Sequence, residues 1–237
     1  MQQITVSNIK IDVEKKNIKN LHLGVYPPNG RVRIAAPLKV NDETIRLFAI
    51  SKLSWIKKQQ RSFALQERET EREFISGESH YFNGRRYLMN VIPATGKATV
   101  VLRHRHIDLY VKPGSSRKHK ASVIAKFYRN HLNEQIPPLI ARWEKKMKVK
   151  VDEYGIKQMK TKWGTCNIEA KRIWVNLELA RKPVSCLEYI VVHEMVHLLE
   201  RHHNEIFLSY MSCFLPQWKS LKTELNKSPF SHSDWSY

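Results

Sequence analysis

Three histidines and a glutamate near the C-terminal end of the chain have a spacing that suits the binding of one metal ion. His193-Glu194-Met195-Val196-His197 is an HExxH sequence, and His203 follows six residues later. Histidines at positions i and i+4 lie on one face of a helix, close enough to hold one ion. Glu194 can take a proton from a water molecule at that ion. Three protein ligands leave a fourth position open, which favours a catalytic zinc site over a structural one.

The spacing alone leaves the third ligand open. One continuous helix would place His197 and His203 on different faces. We therefore expect the helix to end between Glu200 and His202, with His203 at the start of a second helix. Asn204 would be left-handed or would cap that second helix. The alternatives to His203 as third ligand are the neighbouring side chains Glu200, His202 and Glu205.

The residues that lead into the HExxH sequence predict a buried helix, because they are apolar nearly all round. Ser185 and Glu188 have the spacing of a capping box, and Val184 and Tyr189 the spacing of a hydrophobic staple. Burying two histidines and a carboxylate without partners would cost several kcal/mol. A metal ion would satisfy all three. The alternative is a pair of core histidines, with Glu194 in a salt bridge.

The composition indicates a folded protein outside the membrane. The 237 residues are 42% hydrophobic and include six tryptophans. No apolar stretch reaches the roughly 18 residues that span a bilayer, and the N-terminus lacks the features of a signal peptide. Cys166, Cys186 and Cys213 form neither a CxxC zinc pattern nor an obvious disulfide framework. We expect a cytoplasmic protein with no membrane partner.

The chain is strongly basic, with a net charge of +19. Residues 101–150 carry thirteen lysines and arginines against three acidic residues. Such a field attracts polyanions, of which nucleic acid is the commonest. Nucleic acid is therefore a candidate partner through the basic region 103–150. The alternative is a solvated basic face that keeps the protein in solution.

The first half of the chain reads as strands with one long helix. Apolar residues alternate over residues 4–36, as in an antiparallel meander of three strands. The pattern then predicts a helix from 41 to about 65 and strands at 81–88 and 99–111, with Asn83-Gly84 as a hairpin turn. A helix follows at 120–148, and Pro137-Pro138 divides or kinks it.

A second strand pair is predicted shortly before the metal helix. Residues 156–166 and 172–176 read as strands joined by a short turn. An edge strand beside a metal can pair with an extended peptide through main-chain hydrogen bonds. Trp163, Gly164 and Thr165 would lie there and are the predicted substrate-binding residues, with Gly164 permitting close backbone approach. For Trp163 the alternative is ordinary core packing.

Four segments together carry the motifs of a known family. They are Trp163-Gly164-Thr165-Cys166, Ile173-Trp174-Val175-Asn176-Leu177, the run from Tyr189 to Leu198, and Arg201-His202-His203-Asn204 with Phe207. The pattern resembles that of the YgjP-like metal-dependent hydrolases, which are related to SprT-like zinc metallopeptidases. The resemblance covers most of the chain, and Val175 is its one departure, where the family has Leu. It implies a zincin-like domain with the metal on His193, His197 and His203 and with Glu194 as general base.

The sequence therefore predicts an α+β protein with a strand-rich N-terminal region, residues 1–115, and a zincin-like metal-binding catalytic domain, residues 116–237. The expected function is that of a zinc-dependent metallopeptidase acting on a peptide or protein substrate, with one zinc per chain. Iron, cobalt or nickel would also bind three histidines. Tyr189, Tyr210 or a nearby arginine would stabilise the oxyanion.

Two other functions are consistent with the same residues. One is a nucleic-acid-associated SprT-like protease, which would use the basic region to reach proteins bound to nucleic acid. The other is a non-catalytic binding module with a structural zinc, in which His202 or Glu205 would be a fourth ligand.

Overall fold

The computed structural model describes residues 2–26, 30–65, 72–159 and 162–227. The chain divides into two compact units, 1–68 and 69–237, and each has its own hydrophobic core. The predicted boundary between residues 115 and 116 falls inside the second unit, because the strands before it share a core with the helix after it. Within the described residues, no helix combines the length and the apolar character that crossing a bilayer requires.

The described part of the first unit is a four-stranded sheet followed by two helices. Its apolar residues alternate along the strands and face a core that the helices complete. The sheet order is β1-β2-β4-β3. The elements are β1 (Gln2–Val6), β2 (Ile9–Lys16), β3 (His22–Tyr26), β4 (Arg31–Pro37), α1 (Asp42–Ser51) and α2 (Leu53–Leu65).

The predicted antiparallel meander is wrong in two respects. The first of the three predicted strands is a hairpin of β1 and β2, in which Ser7 and Asn8 make the turn with φ of 46° and 64°. The second strand of that hairpin, β2, pairs in parallel with β4, so β3 lies on the far side of β4. The predicted helix over 41–65 is two helices, since the backbone N–H of Lys52 bonds to the carbonyls of Ala49 and Ile50 and ends α1.

In its described residues, the second unit contains two sheets and four helices. The first sheet has the order β5-β6-β8-β7, and the second has the order β10-β11-β9. The Asn83-Gly84 turn joins β5 to β6 with positive φ at both residues. The elements are β5 (Ser79–Phe82), β6 (Arg85–Pro93), β7 (Thr99–Leu102), β8 (His106–Val111), α3 (Arg117–Met147), β9 (Glu153–Lys157), β10 (Gly164–Asn167), β11 (Arg172–Asn176), a 3₁₀ turn (Leu177–Arg181), α4 (Val184–Val196), α5 (Glu205–Phe214) and α6 (Trp218–Lys227).

The single strand predicted over 156–166 is wrong, because that stretch contains the end of β9 and the start of β10, and β9 pairs in parallel with β11. The helix predicted to be divided or kinked at Pro137-Pro138 is not divided there, because α3 continues through both prolines. Both prolines are exposed, while every fourth residue on the opposite side is buried. That burial outweighs the roughly 3 kcal/mol that a proline inside a helix costs.

The second sheet and α4 together form the part of the core that positions the metal-binding motif. α4 packs on β10 and β11 and is also in contact with α3, α5 and α6. β10 lies at the sheet edge, with β11 as its partner. The helix that carries the HExxH sequence therefore lies beside an edge strand, as the sequence predicts.

Candidate metal centre

α4 brings the first two histidines and the glutamate to its last turn. His193 and Glu194 are buried there, and His197 is the first residue past the helix, in the C-cap position. The helix thus ends slightly before the predicted range of 200–202. Leu199 and Glu200 then turn back through backbone hydrogen bonds to the Val196 carbonyl.

The predicted capping box at the start of α4 is wrong. The helix begins at Val184 after Pro183, and no side chain caps it. The Glu188 carboxylate instead accepts hydrogen bonds from the Trp143 indole, at 3.1 Å, and from the Arg142 guanidinium, both on α3. Its partners lie more than forty residues away in sequence, so the local spacing could not indicate them.

The three predicted histidines converge. His203 Nε2 lies 3.1 Å from His193 Nε2 and 3.0 Å from His197 Nε2. Ligands about 2.0–2.1 Å from a tetrahedral zinc ion would be about 3.3 Å apart, so the side chains already have nearly the required spacing. Within the described part of the chain, His193, His197 and His203 make up the only group of three or more potential ligand residues close enough to share an ion. The alternatives Glu200, His202 and Glu205 are not part of it.

The protonation of these rings suits a metal ion. Burial away from water lowers the pKa of all three imidazoles, that of His193 well below its ordinary value. His197 Nδ1 lies 3.2 Å from the Glu200 carbonyl, which can only accept, so Nδ1 carries the proton and Nε2 presents a lone pair. A neutral His203 has one ring proton and cannot donate to both neighbouring Nε2 atoms. A divalent cation would satisfy all three nitrogens.

The turn between α4 and α5 places His203. Asn204 caps α5, since its side chain accepts a hydrogen bond from the Phe207 backbone N–H at 3.0 Å. Of the two alternatives predicted for Asn204, a left-handed conformation and a cap, the structure has the cap, which puts His203 immediately before the first turn of α5. The Phe207 ring is buried and lies against all three imidazoles.

Glu194 lies between the histidines and the edge strand. Its side chain is 1% exposed, and Oε1 has no hydrogen-bond partner among the described residues. Burial raises the pKa of Glu194 to about 8, and the charge of Lys162 opposes that shift. A Cβ atom at Gly164 would lie 2.5 Å from Glu194 Oε1. The glycine therefore permits close approach, as predicted, but the group that approaches is the side chain of Glu194.

The other predicted site residues differ in their exposure. Trp163 is fully buried in the core, with Lys182 Nζ 5.2 Å from the centre of its ring. Thr165 is half-buried on β10 and pairs with Trp174. Tyr189 is buried against His193, and burial raises the pKa of its hydroxyl. Tyr210 is half-buried and stacks on Phe214.

Asn176 is a structural residue that the spacing argument did not single out. It is fully buried at the end of β11, and its side-chain N–H groups donate to the carbonyls of Met159 and Lys162 at 3.0 and 2.7 Å. Its side-chain oxygen accepts from the backbone N–H groups of Met159 and Glu178. These bonds hold the segment that leads into β10. The sequence signal was an asparagine at the last position of a buried strand.

The chain was compared with known proteins. It matches the family model described as YgjP-like, metallopeptidase domain, over residues 19–228. No curated protein matches it. Among solved structures it is similar to the metallopeptidase zymogen of Pyrococcus abyssi abylysin, with 15% identity, a TM-score of 0.36, and coverage of 38% of this chain and 90% of that chain. That structural likeness is too low to support an inference. The family match spans every residue of the candidate site, and the chain belongs to the YgjP-like metallopeptidase family.

Proposed function

We propose that this protein is a zinc-dependent metallopeptidase of the zincin-like type that cleaves peptide bonds in a peptide or protein substrate. The observation that carries the proposal is the convergence of three imidazole Nε2 atoms beside a buried carboxylate, Glu194. His193, His197 and His203 would hold one zinc ion. When bound, the ion would polarise the scissile carbonyl and acidify a water molecule.

Glu194 has the properties of a general base in that reaction. Its carboxylate is shielded from solvent and has an oxygen free to accept a proton. The positive charge of a metal ion held by the histidines would favour the ionised form of Glu194 and offset the effect of burial on its pKa. Glu194 would accept the proton of the attacking water and pass it to the leaving amine nitrogen.

β10 is the proposed binding strand for the substrate. As an edge strand beside α4, it can pair with an extended peptide through main-chain hydrogen bonds. Gly164 and Cys166 face the α4 side, and Thr165 shares the other face with Trp174. The substrate-binding role of Gly164 and Thr165 would thus come mainly from their backbone. The buried side chain of Trp163 would support the strand from the core.

The test of this proposal compares wild type with Glu194→Gln and with Glu200→Gln as a matched control. Glu200 accepts a hydrogen bond from the His202 backbone and is outside the buried site. We expect one zinc per chain in all three proteins by elemental analysis. Cleavage of an unfolded protein substrate should be seen with wild type and Glu200→Gln and be lost with Glu194→Gln. Cleavage that survives in Glu194→Gln would refute the assigned base.

The fourth ligand position bears on the non-catalytic alternative. A structural zinc site is closed by four protein ligands. Among the described residues, neither His202 nor Glu205 joins the three histidines. This supports an open position, and with it the catalytic function, over a binding module with a structural zinc.

A second candidate function adds nucleic acid as a partner, and α3 favours it. The exposed side of this helix consists of two neighbouring rows of residues, which we call the basic stripe. It carries a single acidic residue, Glu134. Its cations are Lys118, Lys126, Arg129, Arg142, Lys145 and Lys146, of which Arg142 is paired with Glu188. A line of cations on one helix suits a polyanion such as the nucleic-acid backbone. On this proposal, the stripe would bring the peptidase to proteins bound there.

A further inference from the structure

We propose that Phe207 is a positioning residue that sets the affinity of the site for its metal ion. This inference rests on the proposed metal site and goes beyond it by assigning the ligand geometry to a residue that cannot itself bind metal. In the described structure, Phe207 is the only aromatic ring outside the ligand set that contacts all three imidazoles.

The ring contacts are close and differ in orientation. The Phe207 centroid lies 5.0 Å from that of His193, 4.8 Å from that of His197 and 4.7 Å from that of His203. His193 and His203 meet it nearly edge to face, at 67° and 84°, and His197 is tilted by 37°. These are the separations and orientations that aromatic pairs favour. One side chain therefore restricts three rings that come from two different segments.

The position of Phe207 is itself fixed. Its side chain is 2% exposed, and its backbone N–H is held by the Asn204 cap. Asn204 directly follows His203, so the cap places the third histidine and the supporting ring together at the start of α5. Met211, one turn further along α5, is fully buried and anchors the same face of the helix.

A hydrocarbon ring is well suited to this position. It has no polar atom that could compete for the Nε2 lone pairs, and it occupies space into which the imidazoles could otherwise rotate. Without it, metal binding would have to order three side chains at once, which costs conformational entropy. Residues that orient metal ligands typically change metal affinity by about 10- to 100-fold when replaced.

The test is a comparison of zinc affinity between Phe207→Leu and the matched control Met211→Ala. Both replacements remove buried volume from the same face of α5, but only Phe207→Leu removes an aromatic ring that lies against the imidazoles. Zinc affinity is measured by competition with a chromophoric chelator. The visible absorption of the Co²⁺-substituted proteins reports ligand geometry.

We expect Phe207→Leu to weaken zinc binding by about 10- to 100-fold and to change the Co²⁺ spectrum. Met211→Ala should lose comparable stability to denaturant but keep its zinc affinity within about twofold of wild type. If Phe207→Leu does not fold, Phe207→Met replaces it, because methionine fills the space without a ring.

Two results would overturn the inference. One is wild-type affinity and an unchanged Co²⁺ spectrum in Phe207→Leu or its replacement. The other is an equal loss of affinity in Met211→Ala, which would show that general packing is responsible. Failure of the proposed function would look different, because wild type itself would then bind no zinc, or would bind zinc and cleave no substrate.

Discussion

The position of the Glu194 carboxylate depends on the absence of one side chain. Gly164 on β10 faces Glu194 so closely that an added Cβ would lie 2.5 Å from Oε1 and 2.8 Å from Cγ. Such distances are not tolerated between nonbonded atoms, so any larger residue would displace the carboxylate or the strand. The sequence indicated close approach at this glycine, but only the structure shows which group makes it.

Gly164→Ala should impair catalysis and leave metal binding intact. Overpacking at a buried position costs about 1–3 kcal/mol, and if the displaced carboxylate bears that cost, kcat should fall by about 5- to 150-fold. Zinc content should stay at that of wild type, because the histidines are not involved. Steady-state kinetics and elemental analysis measure the two effects.

Gly96→Ala is the control for that substitution, since nothing lies within 4 Å of a Cβ at Gly96. It should have wild-type kcat. If Gly164→Ala also has wild-type kcat, the site tolerates a methyl group, and the close approach has no part in placing the base.

The buried carboxylate should also make the metal-free protein sensitive to pH. The pKa of Glu194 is raised from 4.5 to about 8 in the folded chain. Between these values the folded state keeps a proton that the unfolded state has released, so stability falls as pH rises through that window. Glu194→Gln cannot titrate. The free energy of unfolding of its metal-free form should therefore rise relative to that of wild type, by up to roughly 1.4 kcal/mol for each pH unit from about 4.5 to about 8.

Denaturant unfolding of both proteins in the presence of a chelator, at pH 5.5 and pH 8, measures this difference. The three histidines have lowered pKa values, so they reduce the stability of the folded protein towards low pH. Both proteins contain them, and their contribution cancels in the comparison. Equal differences at the two pH values would contradict the raised pKa of Glu194.

At the scale of the elements, the sequence predicted what depends on local pattern. The HExxH helix, the Asn204 cap and the Asn83-Gly84 hairpin follow from spacing and turn chemistry over a few residues. Strand partners do not follow in this way. The parallel pairings of β2 with β4 and of β9 with β11 join segments about twenty residues apart, and alternation along one strand does not identify its neighbour.

The site shows the same division. The candidate ligands and base could be named from sequence, because HExxH spacing is a local property of a helix. The ring of Phe207 beneath the ligands and the contact of Gly164 with Glu194 depend on tertiary packing. The hydrogen bond of Glu188 with a residue of α3, in place of the predicted cap, also depends on tertiary packing.

Asn176 should be the most sensitive residue of the second sheet. Asn176→Asp keeps the shape of the side chain but removes the two N–H donors that hold the carbonyls of Met159 and Lys162. It also places a carboxylate oxygen close to both of these carbonyl oxygens. Leaving buried polar groups without partners costs about 1–3 kcal/mol each, so we expect a loss of several kcal/mol in the free energy of unfolding.

Denaturant unfolding measures that loss, and Asn167→Asp is the control. Asn167 is exposed at the other end of β10, where its side-chain oxygen accepts a hydrogen bond from the Ala170 N–H. An aspartate there can still accept that bond and should change stability little. Equal effects of the two substitutions would show that the bonds of Asn176 do not hold the entry to β10.

At the scale of the whole molecule, the effect of the net charge of +19 depends on how the cations are arranged. Cations spread over a surface favour solubility, whereas the basic stripe aligns them along one helix of thirty-one residues. At about 1.5 Å per residue, that helix is about 46 Å long, which exceeds the length of one turn of duplex DNA. It is therefore long enough to contact several successive phosphates of a polyanion.

If the stripe contacts phosphates, reversing two of its charges should weaken DNA binding and flatten its salt dependence. Lys126→Glu with Arg129→Glu should reduce the slope of log K against log salt by about 2 for mixed-sequence duplex DNA. Lys97→Glu with Lys219→Glu changes the net charge equally, at exposed positions that are not on α3, and should keep the wild-type slope. Fluorescence anisotropy titrations at several salt concentrations measure both. Equal flattening in the two double variants would mean that net charge attracts the DNA and that α3 is not its binding surface.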